Sequence, residues 1–280
     1  MQASSEEARR KGLRITLVPT MGYLHAGHAS LIRRARRDGD VVVVSLFVNP
    51  TQFGPKEDFS SYPRDFERDR KLIEACGGDI LFAPSAEEMY PTGFSTNVDV
   101  GGLTKNLCGR SRPGHFKGVA TIVTKLFASV LPHAAVFGQK DAQQALVIGR
   151  FTRDLNLNVE ILVAPTVREP DGLARSSRNS YLSEGERRRA PILFHALQEG
   201  RRIILDGNLD RESVITSMRS QIERTSGTDI DYVDALDAET LDASPDLGHS
   251  TLLAVAVKFR EARLIDNVLV HQGRNPVELL

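Results

Sequence analysis

Two continuous apolar runs, residues 15–19 and 41–48, bracket an amphipathic stretch at 28–37. Runs rich in β-branched residues, with no polar alternation, belong to strands buried on both faces, as in parallel sheets covered by helices. Between them Leu31, Ile32 and Ala35 form an apolar stripe, and Arg33, Arg34, Arg36 and Arg37 fall mainly off it. That spacing predicts a helix with a basic solvated face. Strand, turn, helix and strand in immediate succession make a βαβ unit.

The alternation continues. A helix is expected over 64–76, ended by Gly77 and Gly78, because glycine accepts the positive φ of a helix C-terminus. Strands follow at 79–83, 134–137 and 159–163, with helices at 117–130 and 141–153. This pattern predicts an α/β fold, a doubly wound, Rossmann-like parallel sheet. Beyond residue 182 the texture changes. Ser183 and Glu186 form a capping box in front of a charged helix; a second helix is expected over 211–225, and strands at 230–236, 251–257 and 264–270. The chain therefore reads as a Rossmann-like domain, 1–172, followed by a smaller α+β C-terminal domain, 173–280, that acts as a lid.

Composition narrows the class. With 36 basic and 36 acidic side chains the net charge is zero, which gives no footprint for nucleic acid or an acidic membrane surface. Only Cys76 and Cys108 are present, at no metal-binding spacing, and a reducing compartment is expected. No apolar run reaches the roughly 20 residues of a membrane span, and the polar first residues carry no secretory signal. A cytoplasmic protein is expected.

Ligands of doubly wound sheets sit beyond the carboxyl ends of the strands. His25 and His28 lie just there, at the start of the first helix, where unpaired N–H groups and the helix dipole favour phosphate. Gly22 and Gly27 allow close backbone approach. After the next strand, Gln52 offers a neutral amide that can hydrogen-bond both a carboxylate and a hydroxyl, and Gln144 can do the same from another helix. Gly138 again permits approach, Lys140 offers a cation for phosphate, and Asp141 a carboxylate for Mg²⁺ or a ribose. Arg175, Ser176, Ser177 and Arg178 place two hydroxyls and two guanidiniums in one loop, a set suited to closing on a triphosphate.

The string VPTMGYLHAGH at 18–28 contains H-x-G-H, the signature of the nucleotidylyltransferase superfamily. Together with SLFVNPTQF (45–53), DFSSYPRD (58–65), MYPTGFST (89–96), RPGHFKGVATIV (112–123), FGQKDAQQ (137–144), VREPDGLARSSRNSYL (167–182) and EARLIDN (261–267), it resembles the pantoate–β-alanine ligase family. The resemblance implies that ATP lies against Met21, Gly22, Tyr23, Leu24, His25, Ala26, Gly27 and His28. It also implies contact with Gly138, Gln139, Lys140 and Asp141, and with Val167, Arg175, Ser176, Ser177 and Arg178. By the same resemblance Gln52 binds pantoate and β-alanine, Gln144 binds pantoate, and His28, His25, Lys140 and Arg178 are catalytic. The reaction implied is ligation of pantoate to β-alanine through an acyl adenylate, with Mg²⁺ on the ATP, in a homodimer.

Three departures stand out. Arg175 occupies a position where family members commonly have Met or Leu, and Ala26 one where they often have Glu. The front of the chain is short, without a strand and helix that family members often carry there, which implies a weakened sheet edge or part of the fold left to a neighbouring element. His115 receives no chemical role. Two other readings stay open: a transferase of the same superfamily that stops at nucleotide transfer, and a catalytically silent nucleotide-binding protein.

Overall fold

The computed structural model describes residues 1–55 and 57–272. In chain order, α1 (Gln2–Arg10), β1 (Ile15–Thr20), α2 (Ala26–Asp38), β2 (Val41–Leu46), α3 (Phe66–Ala75) and β3 (Ile80–Phe82) come first. Two short helices follow, α4 (Ala86–Met89) and α5 (Leu107–Ser111), then α6 (His115–Val130), β4 (Ala134–Gly138), α7 (Ala142–Asp154) and β5 (Glu160–Ala164). The C-terminal part holds α8 (Glu184–Arg189), α9 (Ile192–Leu205), α10 (Arg211–Glu223), β6 (Asp229–Asp237), β7 (Ser250–Lys258) and β8 (Arg263–His271).

The first five strands are all parallel, in the order β3-β2-β1-β4-β5. Val42, Val44, Ile32, Ala35 and Ile73 fill one face of the sheet under α2 and α3. Val43, Leu17, Leu126, Phe127 and Phe151 fill the other under α6 and α7. The order reverses between β1 and β4, and this is the switch point at which open α/β sheets bind ligands. The glycine stop after α3 is as expected: Gly77 takes φ +89°, Gly77 N–H donates to Glu74 O and Gly78 N–H to Ile73 O, the Schellman pattern.

β6, β7 and β8 form a separate antiparallel sheet. One face packs on α9 and α10 through Val233, Leu253, Val255, Leu197 and Met218. The opposite face, carrying Tyr232, Leu252, Ala254 and Ala256, joins the core of the first sheet. The second sheet is thus a middle layer, and its inner face becomes a wall of the interdomain space.

Three features differ from the sequence reading or are not given by it. The polar first residues, to which the sequence reading assigns no element, form α1, which packs Met1 and Ala8 on the main core, while Gln2 Nε2 donates to Ala128 O at 3.0 Å and Arg9 Nη1 to Leu131 O at 2.7 Å. The short front does not weaken a sheet edge, because β1 is central and the edges are β3 and β5. The charged helix begun at Ser183, whose capping box with Glu186 is formed, ends before Pro191, and α9 starts as a separate amphipathic helix.

Candidate active site

The turn between β1 and α2 is held from below. Gly22 and Tyr23 both take positive φ, +86° and +51°. The Asp69 carboxylate, on α3, accepts Tyr23 N–H and Leu24 N–H, each at 2.7 Å. Asp69 is 1% exposed, and burial raises its pKa against the opposing pull of these two backbone donors. The carboxylate therefore serves to fix the shape of this turn.

His25 is the N-cap of α2 and accepts Gly27 N–H on Nδ1 at 3.1 Å; His28 Nδ1 in turn accepts His25 N–H at 3.3 Å. The two histidines form a capping box in which imidazoles replace the usual hydroxyl and carboxylate. Because each Nδ1 accepts, each proton sits on Nε2. A Cβ on Gly27 would lie 2.8 Å from the His25 ring, so the glycine between the histidines is what lets His25 cap its own helix. The ring centroids are 4.1 Å apart. Burial, then His28, then Lys140 and Arg175 push His25 down to about 3, and burial followed by Lys140 pushes His28 to about 4. Both are neutral Nε2–H donors at pH 7.

A cleft of about 230 Å³ opens above this turn. Met21, His25, Gly27 and His28 line it from the first βα turn, Gly138, Lys140 and Asp141 from the turn after β4, and Gln144 from α7. Val167, Arg175, Ser176, Ser177 and Arg178 close it from the segment after β5. The remaining nucleotide candidates, Gly22, Tyr23, Leu24, Ala26 and Gln139, do not reach the wall. Leu24 is fully buried in the α2 core, the Tyr23 ring lies under Arg68 at 4.7 Å, and Ala26 is exposed. Ser177 Oγ donates to Tyr23 O at 3.2 Å, which ties the closing segment to the histidine turn.

Gln52 is set by a hub that sequence reasoning missed. Asn49, 1% exposed, donates from Nδ2 to Gln52 Oε1 and to Gly118 O, and accepts on Oδ1 from Thr51 and from Tyr90 Oη. A Cβ on Gly118 would lie 2.5 Å from Thr51 O, so glycine is required where α6 meets this turn. Gln52 Nε2 meets a thioether, Met21 Sδ, at 2.8 Å; sulfur is a weak acceptor, so this donor is available to a ligand. His115 also gains a place. Arg112 Nη1 lies 3.0 Å from its Nε2 and Gln52 O lies 2.9 Å from its Nδ1. Arginine only donates, so His115 accepts on Nε2 and donates from Nδ1, supporting the Gln52 backbone. Burial first and Arg112 second push its pKa down to about 4.

The cations around the cleft are paired. Arg178 grips Asp58 through Nε and Nη2 at 3.1 and 2.9 Å. Arg112 grips Glu57 at 2.6 and 2.7 Å; burial would raise Glu57, but Arg112 outweighs it and holds the carboxyl at about 2. Lys140 lies 3.8 Å from Asp141. Arg175, the departing residue, turns to Glu169, its Nε 2.7 Å from Oε1 as an ion pair without hydrogen-bond alignment.

Comparison with known proteins decides the family. The sequence model of the pantoate-beta-alanine ligase family matches residues 1–269. The chain belongs to the pantoate–β-alanine ligase family. Curated relatives named pantothenate synthetase are 55% identical in Thermotoga petrophila, over 96% of both chains, and 53% identical in Acetivibrio thermocellus, again over 96% of both. Among solved structures, a pantothenate synthetase from Thermus thermophilus superposes with TM-score 0.90 at 49% identity, covering 92% of this chain and 94% of that one. A ligase from Francisella tularensis, solved with beta-gamma ATP and beta-alanine, superposes with TM-score 0.77 at 34% identity over 95% of each chain. The enzyme is therefore a ligase of this family, and its fold is the family fold.

Proposed function

We propose that this enzyme joins pantoate to β-alanine at the expense of ATP, through a pantoyl adenylate. The observation that carries this reading is the pair of neutral imidazole donors at the N-terminus of α2, facing a cleft walled by Gln52 and Gln144. The ATP and β-alanine bound to the Francisella ligase support the substrate assignment.

In the first step a pantoate carboxylate oxygen bonds to the α-phosphorus of ATP, and the bond to the pyrophosphate oxygen breaks. Most of the catalysis is positioning and charge stabilisation. Gln52 and Gln144 orient pantoate. His28 and His25 donate Nε2–H to phosphoryl oxygens as charge builds, and the pyrophosphate leaves without needing a proton. Lys140, Arg178, Ser176 and Ser177 take the outer phosphates, with Arg178 drawn off Asp58 as they arrive. Met21, Gly27, Gly138 and Val167 shape the nucleotide wall, while Gly22, Tyr23, Leu24, Ala26 and Gln139 act through the backbone of their turns. In the second step β-alanine, its ammonium proton already passed to solvent, bonds through its neutral amine to the acyl carbon; the acyl–phosphate bond breaks, AMP departs, and the second N–H proton passes to AMP or solvent. The C-terminal domain, from about residue 173, is the lid that keeps water from the adenylate.

Mg²⁺ suits this site as a companion of ATP. Among the described residues no cluster of three or more His, Cys, Asp or Glu can hold an ion, and Asp141 is the one carboxylate among those lining the cleft. Asp141 would be the carboxylate nearest such an ion, which would supply charge neutralisation to the triphosphate. A cytoplasmic homodimer without nucleic-acid or membrane partners completes the reading; Cys76 and Cys108 are free and buried, and no helix among the described residues is long and apolar enough to cross a membrane.

The decisive experiment is pantoate-dependent ATP–pyrophosphate exchange, with and without β-alanine. Exchange that needs pantoate but not β-alanine, followed by AMP release when β-alanine is added, is expected. ATP binding without exchange would overturn the reading.

A further inference from the structure

The segment EARLIDN at 261–267 runs into β8 of the C-terminal sheet, outside the loops that wall the main cleft. Its last two residues nevertheless hold two of those loops. Asn267, 5% exposed, donates from Nδ2 to Gln139 O and to Lys140 O, both at 2.9 Å. Asp266 accepts from Arg168 Nη1 and Nη2 at 2.6 and 3.0 Å, and Arg168 donates further to Gly172 O at 3.0 Å. Arg168 pairs with Ala174 across an antiparallel bridge, so this ion pair fixes the base of the hairpin that leads into Arg175–Arg178. Successive strand residues point to opposite faces, and one step of β8 serves both loops.

The two carbonyls decide the residue type at 267. They are consecutive main-chain acceptors, and among short uncharged side chains only an amide carries two hydrogens on one nitrogen. A carboxylate would set acceptor against acceptor, and a hydroxyl has a single hydrogen to give. The other end of the amide is unsatisfied: Asn267 Oδ1 is buried and has no hydrogen-bond partner among the described residues. A buried amide met on one side only is a poor source of stability, because the orphaned oxygen offsets what the donors contribute. Such a residue fits a place where a local rule is broken for the sake of what is held.

What Asn267 holds is the short turn Gln139–Asp141 between β4 and α7. A lysine is a compact charge on a flexible four-carbon stem. The direction in which that stem leaves the backbone is set by the two peptide planes that flank its Cα. For Lys140 those planes carry Gln139 O and Lys140 O, the same two oxygens that Asn267 binds. The lysine also has another place to go. It lines a second cavity, about 80 Å³, whose lining includes Asp266, so an unclamped ammonium has a competing anion on the side away from the histidines.

We propose that Asn267 is a positioning residue for Lys140: from the C-terminal sheet it clamps both peptide planes beside the lysine and so aims the ammonium into the main cleft, at the phosphate groups. It acts through Lys140 and not on the substrate. The assignment rests on the ligase reading above and gives the C-terminal sheet a part in phosphate chemistry besides the exclusion of water. Misplacing a catalytic group by about 1 Å can cost about 10²-fold in rate, so the clamp is worth far more to turnover than to folding.

The test is a double-mutant cycle in the full-length enzyme, read as pantoate-dependent ATP–pyrophosphate exchange. Lys140→Met keeps the apolar stem and removes the charge; it should lose about 10²–10³ of exchange, as for one preorganised donor to developing charge. Asn267→Ala should lose about ten- to hundredfold in the parent, with urea unfolding showing that the variant is folded under assay conditions. In the Lys140→Met background the same substitution should cost about twofold or less, because no ammonium is left to aim. Asn267→Ser, which also breaks the double clamp but leaves a polar group in its place, carries the same cycle where the alanine variant does not fold. Equal losses in the two backgrounds overturn the proposal and make Asn267 a packing residue. Exchange by Asn267→Ala within about twofold of the parent also overturns it, since the lysine then aims itself. So does full exchange by Lys140→Met. Absence of exchange in the parent enzyme overturns the ligase reading and this assignment with it, whereas equal losses in an active parent overturn this assignment alone, so the two failures are distinguishable.

Discussion

Replacing His25 by Asn separates the two jobs of this imidazole. As N-cap it accepts Gly27 N–H at 3.1 Å. Asn caps with its side-chain oxygen, whereas Ala leaves that N–H unpaired at a cost of about 0.5–2 kcal/mol. Neither substitute carries Nε2–H into the cleft. Loss of one preorganised donor to developing charge slows a reaction by about 10²–10³. His25→Asn should therefore unfold within about 0.5 kcal/mol of the parent at pH 7.5, yet lose about 10²–10³ of pantoate-dependent exchange. His25→Ala should lose both stability and exchange.

Acid supplies an independent signature. The folded chain holds His25 at about 3, through burial first, then His28, then Lys140 and Arg175, against 6.5 when unfolded. Below pH 6.5 the unfolded state binds the proton and the folded state does not, so stability falls as pH drops toward the folded value. Between pH 7.5 and pH 5 this one group removes about 2 kcal/mol, from about 1.5 pH units at 1.36 kcal/mol each. His25→Asn is free of that loss, so it should gain about 2 kcal/mol on the parent over the same interval. Thermal or urea unfolding at the two pH values, with exchange measured at pH 7.5, completes the assay. Full exchange by His25→Asn would refute the donor role and leave the imidazole a cap. An unfolding penalty as large as that of His25→Ala would refute the capping geometry.

Two further substitutions test the frame around the cleft. Asp69→Asn leaves one acceptor oxygen for the two N–H groups of Tyr23 and Leu24 and brings a donor where there is none to receive it; unfolding should show a loss of about 1–3 kcal/mol per unpaired group, and exchange should fall with it. Wild-type stability would show that the turn holds itself. Arg175→Met leaves Glu169 without its cation and removes no phosphate ligand; the ATP KM should stay within about threefold, and a rise beyond tenfold, about 1.4 kcal/mol, would show that this guanidinium leaves Glu169 for the nucleotide.

The parallel sheet was legible because buried strands leave continuous apolar runs and their helices leave stripes; the bounds moved by one or two residues, as at α2, where the helix starts at Ala26 with His25 as cap. Short polar α1 carries no such stripe, and its anchors are two carbonyls more than a hundred residues away. α9 has a clear apolar face in Leu193, Ala196, Leu197 and Ile204, but the charged run before Pro191 merges with it unless the proline is read as a break. At the site, the motif residues were legible and their supports were not. Asp69 reaches the histidine turn from 45 positions away, and Asn267 reaches the Lys140 turn from 127. Such contacts have no local spacing; they exist only once the topology brings the elements together.

Ion pairing around the cleft, local and long-range, bears on phosphate recognition. Read from sequence, Lys140, Arg175 and Arg178 are cations on offer to a triphosphate. In the fold each stands beside a carboxylate, Asp141, Glu169 and Asp58, and Arg112 beside Glu57. On the proposed reading, binding a triphosphate is an exchange of one anion for another, and the affinity is the difference between two ion pairings rather than the whole of one. A difference can be small for pyrophosphate while staying large for the nucleotide, which also has the adenine and ribose to hold it. On the same reading, the carboxylates that compete for the cations favour departure of the leaving group, and a ligase that must clear its phosphate subsite before an amine attacks benefits from that competition.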